Sequence, residues 1–356
     1  MTSAVWIYSA FVVMVAGVVV GVSIIQRIRL AREWSLRRLA GLWPLTGSDP
    51  LGEPGVSLLV DWDGDQMALE QLLALDYLRY EVVVVGNVQS DGRLARLTER
   101  YAMIEMGAPV IEESLQHSPR RLYRSRRRSY RRLIVVDTGA EAVAERMDCA
   151  LAVRSYDLVV AVERGVRLAA DALRVLVWRA CDSSAQAVCA TLAAGRGVGG
   201  LLTDIWSFMG WRQGCIALMD GDVVVAAGGF SAAHRRRHPK LTPHTLRHLA
   251  SYGARISCLT LAIGHKDSLR PTLGVVDWVV WHCLCTGALL WLLGSSEERQ
   301  SVVACLVVLW LAGVVAAIGG QAYRRVAGSR HKWWICPIVI LVLPFRIIMP
   351  QDRKKS

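Results

Sequence analysis

Residues 133–173, LIVVDTGAEAVAERMDCALAVRSYDLVVAVERGVRLAADAL, decide the fold. LIVVD and DLVVAVE are short, Val-rich apolar runs, the kind that form parallel strands buried on both faces. Between them, Glu141 to Val153 carries Ala, Met and Leu at helical spacing, which predicts a helix. The second strand ends at Glu163, Arg164-Gly165 makes a turn, and a further helix opens toward Leu173. In an open α/β sheet, ligands sit outside the carboxyl ends of the strands. Glu163 therefore marks where chemistry is expected.

Working outward, VSLLVDW from Val56 reads as a first strand, Gln66 to Leu75 as its helix, and Glu81 to Val85 as a second strand. Beyond Leu173 the helix is expected to continue through Trp178. Gly195 to Gly200 (GRGVGG) reads as a turn and not a Walker loop, because no Gly-Lys-Ser/Thr follows. Asp204 to Met219, with Trp206, Phe208, Met209 and Trp211, reads as a helix.

This frame resembles the membrane-bound family 2 glycosyltransferases, the group of the cellulose, hyaluronan and poly-N-acetylglucosamine synthases. The resemblance rests on VVD at Val135 to Asp137, VAERMD, VAVERG and LAADAL, on LDYLRYEVVVV upstream, and on VVVAAGGF and SYGARI downstream. It covers most of Val56 to Gly253 and implies an α/β, GT-A-like (nucleotide-diphospho-sugar transferase) domain. That domain has a mixed, mostly parallel sheet flanked by helices, and transmembrane helices accompany it.

The polar residues that carry the family's chemistry have changed. The family's Lys in the central helix is Val143, and its Asn is Asp148. The Asp-x-Asp is Glu163-Arg164-Gly165. The acids after the second strand are Gly86 and Asn87, with only Asp91 and Gly92 surviving from that motif. The position of the catalytic Glu-Asp falls near Leu241-Thr242, and no Asp or Glu occurs between Asp222 and Asp267. The Gln-x-x-Arg-Trp place holds DSLRPTLG. No catalytic residue is identified.

The implied function is therefore a pseudo-glycosyltransferase, a partner or regulator of an active transferase in cell-envelope polysaccharide or glycolipid synthesis. No cofactor is expected for it. The alternative is a divergent, active inverting transferase using a nucleotide-sugar with Mg²⁺ or Mn²⁺. Its candidate nucleotide-sugar ligands are Asp61, Asp63, Asp91 and Glu163, with Glu163 the metal ligand. The Asp61-Trp62-Asp63-Gly64-Asp65 run has two readings, a cation site and a solvated turn capping the next helix; the second is favoured.

Composition separates further classes. The 356 residues are 53% hydrophobic with a net charge of +12, and the mean hydropathy is +0.33, too apolar for an ordinary soluble enzyme. The basic residues cluster beside apolar segments, as on the cytoplasmic flanks of membrane proteins, which disfavours nucleic acid as a partner. The nine cysteines are scattered without CxxC pairs, so buried thiols are expected in place of a disulfide framework or zinc site. His244 and His248 share an i, i+4 face with no carboxylate or thiol to complete a metal site.

Eight arginines lie between Arg120 and Arg132: Arg120, Arg121, Arg124, Arg126, Arg127, Arg128, Arg131 and Arg132. Three readings stand for them: a loop on anionic lipid, a docking patch for an acidic partner, and a phosphate clamp. A lipid-surface scaffold using only such faces is a further functional alternative.

Ala4 to Ile25 is long enough to span a bilayer. The expected layout is an N-terminal transmembrane helix over 1–26, a juxtamembrane amphipathic segment and linker over 27–54, and a cytoplasmic domain over 55–265. A transmembrane hairpin over 272–320 follows, joined by SSEERQ, then a transmembrane or interfacial helix over 333–350 and a basic tail over 351–356. Ile28 to Trp43 is read as lying on the membrane with Arg27, Arg29, Arg32, Arg37 and Arg38 toward the head groups, or as a simple stop-transfer flank. Asp277 is a candidate intramembrane carboxylate. The charge distribution places the N-terminus outside and the domain in the cytoplasm of a plasma (inner) membrane, multi-pass protein.

Overall fold

The computed structural model describes residues 2–42, 53–87, 92–107, 119–194, 214–234, 241–266 and 275–326. The glycine-rich turn at 195–200, residues 204–213 of the expected helix, Asp91, DSLRPTLG, the segment 333–350 and the tail lie outside the described residues, as does the side chain of Asp277.

The chain begins with one helix, α1 (Thr2–Leu42), followed by β1 (Val56–Asp61), α2 (Gln66–Leu73), β2 (Tyr80–Gly86), α3 (Gly92–Arg100), β3 (Met103–Met106), β4 (Arg121–Ser125) and β5 (Leu133–Asp137). Then come α4 (Val143–Ala152), β6 (Leu158–Val162), β7 (Val166–Leu168), α5 (Ala172–Ser183), β8 (Ala187–Ala194) and β9 (Cys215–Asp220). Two short helices, α6 (Gly221–Ala226) and α7 (Gly229–Ala233), lead to α8 (Leu241–Ser251), β10 (Ile256–Lys266), α9 (Val275–Leu293) and α10 (Ser296–Val326).

The described chain forms two compact units. The α/β unit is built on a ten-stranded sheet of order β3-β4-β5-β2-β1-β6-β9-β8-β10-β7. Its centre is parallel: β5 pairs β2, β2 pairs β1, and β1 pairs β6. Every residue of β1 and β5 is buried. That explains why these strands are unbroken apolar runs and not alternating ones. Antiparallel strands extend the sheet on both sides, β4 and β3 beyond β5 and β9 and β8 beyond β6. The expected mixed sheet flanked by helices is present, parallel at its centre and with a larger antiparallel share toward its edges.

Some local expectations need correction. A short strand, β7, stands between the Arg164-Gly165 turn and α5. Cys215 to Met219 is strand and not helix, because it fills the slot between β6 and β8. The arginine-rich segment is not a loop throughout: Arg121 to Ser125 forms β4, and Arg128 to Tyr130 makes a 3-10 turn. Arg37 does not face head groups. It grips Asp171 through Nε–Oδ2 and Nη2–Oδ1 contacts of 2.5 Å each, a bidentate, charge-assisted pair. One turn earlier, Glu33 accepts from the Thr260 and Leu261 amides at 2.9 and 2.6 Å. The C-terminal part of α1 is thus packed on the α/β unit.

In the second unit, α1, α9 and α10 meet around Tyr8, Val12, Cys283, Val302, Cys305 and Leu309. The Tyr8 hydroxyl donates to the Cys283 carbonyl at 3.0 Å. The hairpin turn is tighter than expected, since Ser296 already starts α10 and Glu298 accepts from the Ser295 amide at 2.8 Å. Among the described residues, Ser3–Arg38 and Ser296–Ala316 are long and apolar enough to cross a membrane. Their outward faces expose Trp6, Ile7, Val307 and Leu311.

Candidate functional site at the carboxyl edge of the sheet

The four central strands end side by side. Asp61 closes β1, Gly86 closes β2, Asp137 closes β5, and Glu163 follows β6. The ladder fixes this row, pairing Asp61 with Val85, Gly86 with Asp137, and Val60 with Val162. The loops then leave in register, with the Trp62 amide donating to the Val85 carbonyl at 3.2 Å and the Thr138 amide to the Gly86 carbonyl at 2.9 Å.

Asp61 is buried and matched by two guanidinium groups. Arg146, from α4, places Nε at 2.9 Å and Nη2 at 2.8 Å from Oδ1. Arg164, from the turn after β6, places Nε at 2.7 Å from Oδ2. The side chain of Arg146 is 12% exposed and that of Arg164 is 56% exposed, so the first is enclosed with its partner and the second reaches solvent. Gly165 carries the turn at φ +71, a conformation that suits glycine.

Glu163 has two partners of its own. Lys266, at the end of β10, places Nζ at 2.7 Å from Oε2. The Thr242 amide donates to Oε1 at 3.2 Å. The chain at Leu241-Thr242, where the resemblance places a general base, thus touches the residue standing in for the Asp-x-Asp, and it does so with a threonine. Leu241 and Thr242 open α8 and are buried.

Asp63, Asp65 and Asp148 have structural jobs. Asp65 caps α2, accepting from the Ala68 amide at 3.2 Å, and also pairs with Arg167 at 3.2 Å. Asp63 accepts from the Asp65 amide at 2.9 Å. The run at 61–65 is therefore a capping turn at its end, as favoured, but Asp61 itself is a buried ion-paired group and not a solvated one. Asp148 accepts from the amides of Phe230 and Ser231 at 2.6 and 3.0 Å, tying α4 to the start of α7.

A divalent ion needs oxygen ligands with lone pairs to spare. Both oxygens of Asp61 already accept from guanidinium groups, and Glu163 is shared by an ammonium and an amide. A cation placed beside Arg146, Arg164 and Lys266 would meet three like charges at close range. Among the described residues no group of three His, Cys, Asp or Glu side chains could hold a metal. Among the described residues, Asp61 and Glu163 do not fit a metal-diphosphate centre. His248 is engaged with the Ala227 carbonyl at 2.9 Å and His244 stacks edge-on with His234, so this pair forms no metal site either.

Reading the sequence missed Arg146 and Lys266. For Arg146 a signal existed: Val143, the position at which the sequence resemblance expects a lysine, lies three residues earlier, and i, i+3 positions share a helix face. The arginine cluster is divided. Arg132 is half-buried, donating to the Leu78 carbonyl at 2.9 Å and lying 4.6 Å over the Tyr80 ring, whereas Arg124, Arg126, Arg127, Arg128 and Arg131 are exposed.

No family model matches the chain, and no curated protein matches its sequence. Similar solved structures include S. aureus TarS 1–349, at 15% identity over 78% of this chain and 93% of that one, with a TM-score of 0.41. The same protein in complex with UDP-GlcNAc gives 13% identity over 77% and 91%, with a TM-score of 0.41. Its complex with UDP gives 13% over 83% and 92%, with a TM-score of 0.42.

Proposed function

We propose that this chain is a membrane-anchored, glycosyltransferase-like protein that lacks transferase chemistry. In this reading it serves as a partner or regulator of an active transferase in cell-envelope polysaccharide or glycolipid assembly. α1 and the α9–α10 hairpin anchor it, with the N-terminus outside and the α/β unit in the cytoplasm, as the flanking charges favour.

The observation that carries this reading is the internal neutralisation of the carboxyl edge, with Asp61 held by Arg146 and Arg164 and Glu163 held by Lys266. An inverting sugar transfer uses a metal to offset the leaving diphosphate, worth several kcal/mol. It also uses a carboxylate to take the acceptor's proton, worth about 10²–10⁴-fold. Here the acidic groups that would do this are bonded to the protein's own cations, and Thr242 stands where the base is expected.

The test is a transfer assay with the purified protein, Mg²⁺ or Mn²⁺, and UDP-, GDP- and dTDP-sugars. No transfer is expected. Transfer that disappears in Glu163→Gln would overturn the proposal.

A second reading is favoured by the exposure of Arg124, Arg126, Arg127, Arg128 and Arg131. These side chains supply a basic face for anionic lipid or an acidic partner. Lipid use predicts liposome binding that fades as salt rises. A partner predicts a stoichiometric complex recovered when the intact membrane assembly is captured.

A further inference from the structure

Of the eight arginines between Arg120 and Arg132, three serve the fold. Arg120 lies against Gly139, Arg121 pairs with Glu105 at 3.6 Å, and Arg132 stacks on the Tyr80 ring. The other five, Arg124, Arg126, Arg127, Arg128 and Arg131, are exposed, and among the described residues none of their side chains is held in an ion pair or hydrogen bond. The sequence from Ser118 to Val136 contains no Asp or Glu. Five like charges on one turn repel one another, so the face is stabilised by a counter-charge from outside.

The backbone beneath these arginines is nevertheless fixed. The Arg126 amide donates to the Ala102 carbonyl at 3.1 Å, and the Arg127 amide donates to the Ser125 hydroxyl at 3.1 Å. That hydroxyl donates in turn to the Tyr101 carbonyl at 2.5 Å, and Tyr101 packs edge-on against Tyr130 with ring centroids 4.8 Å apart. Ala102 holds φ +48, a left-handed conformation uncommon in residues with a Cβ. A turn ordered in advance pays less to dock than a loose one.

Its place in the sheet separates lipid from protein as the source of counter-charge. The turn joins β4 to the amino end of β5. The apolar helices join the α/β unit at β10: Glu33 of α1 accepts from its Thr260 and Leu261 amides, and the chain leaves its carboxyl end toward α9. In the sheet order β4 is second and β10 ninth, seven steps apart. At about 4.8 Å per step that is on the order of 30 Å, diagonally across the sheet. Exposed charges are screened over about 8 Å at physiological salt. This separation favours a partner arriving from solvent over the lipid surface that carries α1. A second copy of the chain is disfavoured by the net charge of +12.

We infer that this arginine face docks an acidic segment of a partner protein, which narrows the basic-face reading above and rests on it. Carboxylates meet the guanidinium groups in paired, charge-assisted contacts, and the opposite charges steer the encounter.

The test is fluorescence anisotropy on the full chain in lipid nanodiscs at low ionic strength. The probe is a labelled peptide of alternating glutamate and serine, about twelve residues long. One set of discs is pure phosphatidylcholine, and the other carries phosphatidylglycerol at about one lipid in three. Arg126→Gln/Arg127→Gln/Arg128→Gln is expected to weaken peptide binding about tenfold. Arg27→Gln/Arg29→Gln/Arg38→Gln removes the same charge from α1 and is expected to change it less than about twofold. Both variants are expected to keep the wild-type melting temperature, because all six positions are exposed. The ratio of wild-type to Arg126–128 variant affinity is expected to be the same in both discs. Equal weakening by the two triple variants would overturn the proposal, since binding would then follow overall charge. A ratio that collapses to about one when phosphatidylglycerol is present would also overturn it, because lipid would then occupy the face; the basic-face reading would survive. No peptide binding, or binding untouched by the Arg126–128 changes in either disc, would remove both.

Discussion

Arg146 and Asp61 form an enclosed pair, with Nη2 and Oδ1 2.8 Å apart and side chains 12% and 2% exposed. Removing one member of such a pair leaves the other charge stranded, which costs far more than the pair contributes. Asp61→Ala is therefore expected to destabilise the α/β unit by about 3 kcal/mol. Combining Asp61→Leu with Arg146→Met restores most of that loss. Urea unfolding of the two variants in detergent measures both outcomes, and equal destabilisation by the single and double changes would contradict the pairing.

Gly229 and Gly253 both have positive φ, +77 and +83. They differ in surroundings. A Cβ on Gly229 would run into the Asp148 carboxylate that caps α7, whereas one on Gly253 meets nothing nearby. Gly253→Ala is expected to cost about 1 kcal/mol from backbone strain alone. Gly229→Ala adds the displacement of Asp148 and loses its bonds to the Phe230 and Ser231 amides, for about 2 kcal/mol or more. Paired thermal melts decide the order of the two variants.

Tyr77 gives a pH dependence. Its hydroxyl donates to the Pro54 carbonyl at 2.6 Å, and burial pushes its pKa above the ordinary value, with the nearby Glu53 charge adding to the shift. The neutral form is the one the fold holds. A raised folded pKa contributes stability that is full below the unfolded tyrosine value, near about pH 10, and is lost as pH rises beyond it. The wild-type urea midpoint is expected to hold up to about pH 9 and to fall from about pH 10 upward. Tyr77→Phe is expected to be less stable at neutral pH but to show a smaller fall over that range.

Thiol labelling reads burial directly. Cys181 and Cys258 are exposed in the α/β unit, whereas Cys149 and Cys189 are buried. Burial also raises the Cys149 thiol, with the Thr138 hydroxyl 3.2 Å from its sulfur. A maleimide is expected to label Cys258 within minutes and Cys149 only after unfolding. Labelling of Cys149 in the native protein at a comparable rate would contradict the packing of α4 on the sheet.

How much was legible in the sequence follows from how each element is held. β1, β2, β5 and β6 show as apolar runs because both faces are buried, and the end of β6 at Glu163 could be placed from that alone. β8, AVCATLAA, is buried at all eight positions yet rich in alanine, a helix former; its place in the sheet is set by β9 and not by its own preference. β9, CIALMD, misleads in the same way. At the site, Asp61 and Glu163 were legible as strand ends. Their partners were not, because Arg146 comes from 85 residues away and Lys266 from 103. Lys266 is also the cation one expects beside a membrane helix, so position alone gave no reason to assign it to Glu163.

Calorimetry with UDP, in the presence and absence of Mn²⁺, bears most directly on the neutralised edge. If Asp61 and Glu163 are held by the protein's own cations, adding Mn²⁺ changes neither the affinity nor the heat of any UDP binding. UDP binding that requires Mn²⁺ and is lost in Glu163→Gln would show that the edge still works as a metal-nucleotide site, and the account would fail.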